Sequence, residues 1–155
     1  MRLSAAGRRA LQAGAIAGFD AVGNPDGGNF MELEEVEFAN EAFYLAFEAK
    51  DYDAMAHLWS HEREIVCLHP GWPALIGRDA VLDSWQKILS NPQQSQVSFF
   101  DAVVKPIGDE CAAVVCYERS GDAVMVASNV FVAEAGTVRL VLHQAGYCAN
   151  PPSGD

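Results

Sequence analysis

The stretch CLHPGW, residues 67–72, sets a thiol, an imidazole and an indole close together, and two more histidines stand upstream at His57 and His61. Three uses fit such a set: metal ligation, nucleophilic catalysis, or the lining of a small-molecule pocket. Zinc needs three or four donors converging at about 2.0–2.3 Å. His57 and His61 are spaced i,i+4, yet HEREI at 61–65 lacks the second histidine of an H-E-x-x-H motif. No metal and no cofactor is expected. Cys67 and His69 share a strand face but lie about 6–7 Å apart along the chain, so their side chains meet only by leaning together. An apolar setting raises a thiol's pKa, and no third residue is in place to orient the imidazole. Cys67 therefore reads as a buried structural cysteine. His69, at a strand end before a loop carrying Trp72, is the candidate that titrates near neutral pH.

The elements that must position these residues begin at Met31. MELEEVEFANEAFYLAFEAK spaces Leu33, Val36, Ala39, Phe43 and Phe47 as one helical stripe, with Glu32, Glu34 and Glu35 in the first turn. Asp51 predicts an N-cap for a short second helix, YDAMAHLW, with His57 and His61 at its exposed end. EIVCLH reads as a strand, and PGWPALIG as a loop because of its prolines and glycines. RDAVLDSWQKILS predicts a third helix, with Val81, Trp85, Ile88 and Leu89 on one face and Asn91-Pro92 at its end. Arg78, at its start, reads as a surface or cap-region residue.

The rest of the chain is strand. SQVSFFDAVVKPI, ECAAVVCYERS, AVMVASNVFVAEA and TVRLVLHQAGYC are rich in Val and aromatics and are joined by tight Gly-containing turns. Consecutive strands joined so tightly run antiparallel. The last three are apolar on both faces, which predicts helices on one side and a second subunit on the other. The fold class is α+β: three N-terminal helices packed on a strongly bent, mainly antiparallel sheet.

Bulk properties narrow the partners. At 155 residues the chain suits one domain, and its net charge of −11 excludes a phosphate backbone or an anionic membrane surface as a partner. Residues 31–64 hold much of the acid, set against only Lys50 and Arg63; such a run reads as a solvated helix face. No apolar run approaches the ~18 residues of a membrane span. The cysteines at 67, 111, 116 and 148 form no C-x-x-C, as in a reducing compartment, so the expectation is cytoplasmic. Residues 1–30 read as a flexible extension and 150–155 as a tail; Arg8-Arg9 before ALQAGAIAGF leaves twin-arginine export as a minor alternative, and Met31 as an alternative start.

The element order, Trp59 closing the second helix, the HPGW…LIGRDAV…SW…I pattern at 69–88, and VRLVLHQAG at 138–146 resemble the SnoaL-like branch of the nuclear transport factor 2-like superfamily over residues 31–149. That resemblance implies a cone-shaped half-barrel enclosing a deep pocket and a homodimer through the outer sheet face. It also implies acid–base chemistry of the isomerase, cyclase, dehydratase or epoxide-hydrolase kind, run by an Asp or His in the cone. Val138 and Gln144 depart from it, since related sequences often carry Trp and His there; no histidine-based site is carried over whole. The candidates in this chain are His69 and Asp101 as catalytic groups. Trp59, Cys67, His69, Trp72, Trp85, Tyr117, Asn129 and His143 are the pocket residues. Glu118 and Arg119 stand near the end of the second long strand. Asn129, polar in mid-strand, needs either a cross-strand partner or a ligand. Alternation leaves open which face of the last strand looks inward. Two functional readings follow: a pocket protein taking a small apolar or carbonyl-bearing ligand, or a non-catalytic homodimeric interaction module.

Overall fold

Glu34 and Glu35 begin α1 (Leu33–Ala49), where the helix dipole favours anions, and Lys50 ends it in the left-handed region at φ 54°. The computed structural model describes residues 31–153; the expected extension with Arg8-Arg9, the alternative export segment and the last two tail residues lie outside them. The buried face of α1 is Val36, Asn40, Phe43, Tyr44 and Ala46. It is rotated from the apolar stripe: Leu33 is 44% exposed, and Ala39 and Phe47 are only half-buried. The rotation comes from Asn40 and Tyr44, polar side chains that find hydrogen-bond partners indoors.

Asp51 caps α2 (Tyr52–Leu58) through the Ala54 N–H at 2.9 Å. The other end of α2 is closed from a distance, by the Arg78 guanidinium donating to the carbonyls of Ala56, Trp59 and Ser60. Those are carbonyls that a helix C-terminus leaves unpaired. Arg78 starts α3 (Arg78–Ser90), which buries Val81, Ser84, Trp85 and Leu89.

Val66–Leu68 forms β1, and Leu75–Ile76 forms β2. The second is a departure from the expected loop. Two residues free of Pro and Gly suffice to pair antiparallel with Cys67 and Val66. The long strands are β3 (Ser98–Pro106), β4 (Cys111–Ser120), β5 (Ala123–Glu134) and β6 (Thr137–Tyr147). The sheet order is β2-β1-β6-β5-β4-β3. All pairs are antiparallel except β1–β6. The parallel pair is possible because α3 and the whole meander separate those strands in sequence. Ala135 and Gly136 turn β5 into β6 with φ 49° and 76°, the positive values that a two-residue type I′ turn demands.

Two bulges bend the sheet and set its inner face. On β6, Leu142 pairs with Val130 and Leu140 with Phe131, so Val141 is extra. Three residues apart in a regular strand, Leu140 and His143 would face opposite sides; the bulge at Val141 sets both inward, where they are buried. On β3, Phe100 pairs with Tyr117 and Val103 with Val115, and Asp101 sits in the bulge at φ 51°. The inward rows are Ala112, Val114, Cys116 and Glu118 of β4, and Ala127, Asn129 and Phe131 of β5. They meet a helix layer centred on Phe43 and Trp85, whose rings touch edge-on at 5.4 Å. Truncating either to Ala would cost roughly 3–5 kcal/mol. No helix among the described residues is long and apolar enough to cross a membrane.

Candidate functional site

The inward rows of β4, β5 and β6 bring Glu118, Asn129 and His143 beneath α1, where Asn40 and Tyr44 meet them. Glu118 is 4% exposed, Asn129 0% and His143 3%. Tyr44 donates its hydroxyl to Glu118 Oε1 at 2.8 Å and lies 3.3 Å from Cys116 Sγ. Asn129 donates Nδ2–H to Asn40 Oδ1 at 2.7 Å, with the Tyr44 oxygen at 3.4 Å. Asn129 Oδ1 faces His143 Nδ1 at 2.6 Å, and the far nitrogen of that ring, Nε2, faces Glu118 Oε1 at 3.9 Å. The five residues form one buried polar chain.

Electrostatics separates its members. Burial pushes the Glu118 carboxyl up from 4.5 to about 7, against the lowering effect of the Tyr44 hydrogen bond. Burial, with His69 nearby, pulls His143 down to about 3. Near neutral pH the pair is therefore a half-ionised carboxyl and a neutral imidazole, and despite its proximity it is no salt bridge. Burial and the Glu118 charge raise Tyr44 far above its ordinary value. The phenol stays a donor. Cys116 is pushed up to about 11, chiefly by burial.

A second group lies at the end of β1. His69 is 7% exposed, and its Nε2 lies 2.9 Å from Ser84 Oγ. The single hydroxyl proton of Ser84 goes to the Val81 carbonyl at 2.6 Å, so the serine accepts from His69 Nε2–H and is not activated as a nucleophile. Burial holds His69 at about 4. Cys67 does lean toward the ring, with Sγ 3.5 Å from Nε2, closer than strand spacing alone provides. Burial and Glu118 push the thiol up to about 12, so it remains a thiol. Trp72, 46% exposed, packs on His69 at 5.2 Å between centroids, and Trp85 does so at 4.9 Å. The two imidazoles are 6.4 Å apart.

The structure thus brings Cys67, His69, Trp72, Trp85, Asn129 and His143 into one continuous set. Trp59 is fully buried against β6, in a bridge to Leu140. The indole N–H groups of Trp59 and Trp85 are buried without a partner among the described residues. Asp101 is exposed in its bulge and does not join the polar chain. Tyr117 points to the outer face, where it stacks on Phe100 at 5.5 Å. Asn129 has its cross-strand partner, His143. Tyr44, Asn40 and Ser84 are what the sequence reading missed. A Glu two residues beyond a buried Cys on the same strand face was the available signal for Glu118. Among the described residues no group of three or more His, Cys, Asp or Glu is placed to hold a metal ion, and all four cysteines are free.

A bent sheet over three helices, with a polar chain inside, defines a nuclear transport factor 2-like architecture. Residues 36–149 match the SnoaL-like domain, and the chain belongs to that family. A solved structure from Streptomyces avermitilis, named as a candidate dehydratase of the nuclear transport factor 2-like family, is 30% identical with a TM-score of 0.68, covering 76% of this chain and 97% of that one. A candidate calcium/calmodulin-dependent protein kinase type II association domain from Thiobacillus denitrificans is also 30% identical, with a TM-score of 0.57 over 72% of this chain and 94% of its own. A cystatin-like fold protein from Burkholderia xenovorans shares the fold at 20% identity and a TM-score of 0.63, over 77% and 93%. No curated protein matches the sequence.

Proposed function

We propose that this protein binds a small carbonyl-bearing ligand inside the cone and moves a proton on it, in a dehydration or isomerisation, with Glu118 as the general acid–base. One observation carries the reading: a carboxyl held at about 7, gripped by a phenol at 2.8 Å and facing a neutral imidazole at 3.9 Å. A catalytic acid–base works best with a pKa near the operating pH. In the step itself, the ionised carboxylate takes a proton from the carbon beside the ligand carbonyl, and the electron pair passes to the carbonyl oxygen. Collapse of the enolate expels a β-hydroxyl, which leaves as water carrying the proton from Glu118; alternatively Glu118 returns that proton to another carbon. The unpartnered Trp85 N–H supplies a donor for the carbonyl oxygen. Trp72 and His69 form the rim past which the ligand enters. The candidate dehydratase among its structural neighbours favours the same chemistry.

The test does not require the substrate to be identified. The protein is incubated in deuterium oxide with a library of small ketones, hydroxyketones and thioesters, and mass spectrometry reads deuterium gained beside the carbonyl. Enzyme-dependent exchange that disappears in Glu118→Gln is expected. Exchange that survives the substitution, or none across the library, contradicts the proposal.

A second reading concerns the outer face, which we propose pairs two copies of the chain. In a protein of net charge −11, the outward residues of β4 (Cys111, Ala113, Val115, Tyr117 and Arg119) include no acid. Nor do their β5 partners Val124, Val126, Ser128, Val130 and Val132. Val103, Val115 and Val126 are 48%, 39% and 39% exposed there. Removal of like charge from one apolar face is what self-association requires. Sedimentation at micromolar concentration should show a dimer that Val115→Glu dissociates; a wild-type monomer contradicts it.

A further inference from the structure

We infer that Asn129 is a positioning residue that locks His143 with its proton on Nδ1, and so makes the gap between His143 Nε2 and Glu118 Oε1 a subsite for a ligand hydroxyl. The inference deepens the acid–base reading and rests on it for the place where the ligand binds. Its first test reads a nitrogen atom, not a reaction, so the two can fail separately.

The polarity of the chain runs from one end. A carboxylate oxygen can only accept. Glu118 Oε1 therefore takes the Tyr44 proton at 2.8 Å. With its one proton spent, the Tyr44 oxygen can only accept from Asn129 at 3.4 Å, which turns the Nδ2 side of that amide toward α1. The same Nδ2 donates to Asn40 Oδ1 at 2.7 Å. The amide oxygen is left facing His143 Nδ1 at 2.6 Å, and two acceptors cannot share that distance, so Nδ1 carries the hydrogen. The other amide orientation would set the Asn129 oxygen against the Tyr44 oxygen, whose proton is already spent on Glu118.

His143 Nε2 then presents a lone pair to Glu118 Oε1, itself an acceptor, across 3.9 Å. Acceptor facing acceptor leaves the pair short of a donor. A hydroxyl oxygen standing about 2 Å to the side of the line joining them lies about 2.8 Å from each, an ordinary O–H distance, and gives its one proton to one of the two, whereas an ether or a bare carbonyl has no proton to give. The two imidazoles therefore differ in what they show a ligand. His69 spends its Nε2–H on Ser84, while His143 keeps Nε2 open on the carboxyl side.

Imidazole nitrogen NMR on uniformly 15N-labelled protein at pH 8 tests the lock. His143, assigned by its loss in His143→Gln, should show a protonated-type Nδ1 and an unprotonated-type Nε2. Proton on Nε2, or a mixed tautomer, overturns the inference. Asn129→Asp sets an anion against Nδ1 and should make His143 doubly protonated at pH 7. An unchanged ring in a folded Asn129→Asp protein also overturns it; should that variant not fold, the wild-type tautomer decides alone. For the subsite, p-cresol and its methyl ether, 4-methylanisole, are titrated in turn while His143 Nε2 is observed. The phenol should shift that nitrogen and the ether should not. Equal shifts, or none with either compound, remove the hydroxyl subsite.

Discussion

His69 and His143 are the same side chain on neighbouring strands, 6.4 Å apart, both buried and both neutral near pH 7. Their surroundings give them different work. His69 hands its proton to a serine whose own hydroxyl is tied to the helix backbone, and has an exposed tryptophan at its edge. His143 sits at the end of an amide–phenol–carboxyl chain and faces the one carboxyl there whose pKa lies near 7. Residue type alone says little about role; the acid, donor and dipole within hydrogen-bond reach say most of it.

The sharpest way to break that comparison is at the deep end. Glu118→Gln should lower proton-exchange activity by about 10²–10⁴-fold, the range a positioned acid–base supplies. The same variant carries a stability signature. Because the folded carboxyl is raised from 4.5 to about 7, its contribution is whole below pH 4.5 and is lost as pH rises through about 7. Measured by urea denaturation of both proteins, the stability of wild type relative to the Gln variant should fall by roughly 3 kcal/mol over that window. Both histidines run the other way. Lowered from 6.5 to about 4 and about 3, they contribute stability above pH 6.5 that fades as pH falls through those values.

Tyr44→Phe should cost less, about tenfold to a hundredfold in exchange rate, because one donor to the carboxyl is lost. It should also move the inflection of the pH–rate profile above 7, since that hydrogen bond lowers the Glu118 pKa. At the rim, His69→Gln should weaken ligand binding several-fold and leave the maximal rate within about threefold, as expected of a group that lines and does not react. Asp101→Asn should change neither rate nor binding by more than about twofold, because the side chain is exposed on the bulge. A large effect at Asp101 would reverse the assignment of acid–base.

The sequence made the helices and the meander legible because their signals are local. Val81, Trp85 and Leu89 sit at helical spacing, and Asp51 and Ala135-Gly136 mark a cap and a turn. What stayed hidden depended on contacts far apart in the chain. Asn40 and Tyr44 drew no notice because an acidic, amphipathic pattern gives no sign that β4 and β5 hold partners for them. The parity of β6 was equally closed to inspection. One extra residue at Val141 puts Leu140 and His143 on the same face, and a bulge leaves no mark in a run such as VRLVLHQ. Tyr117 and Glu118 are adjacent, so alternation allowed only one of them inward; Glu118 took that place because Tyr44 waits for it.

The ionisation of Glu118 itself tests the account most directly. Carbon-13 NMR of the Glu side-chain carboxyls, with Glu118 assigned by its loss in Glu118→Gln, follows that group from pH 4 to pH 9. A midpoint near 7 is predicted. A midpoint near the ordinary 4.5 would mean that the carboxyl is solvated and idle at neutral pH, and would contradict its place at the centre of the site.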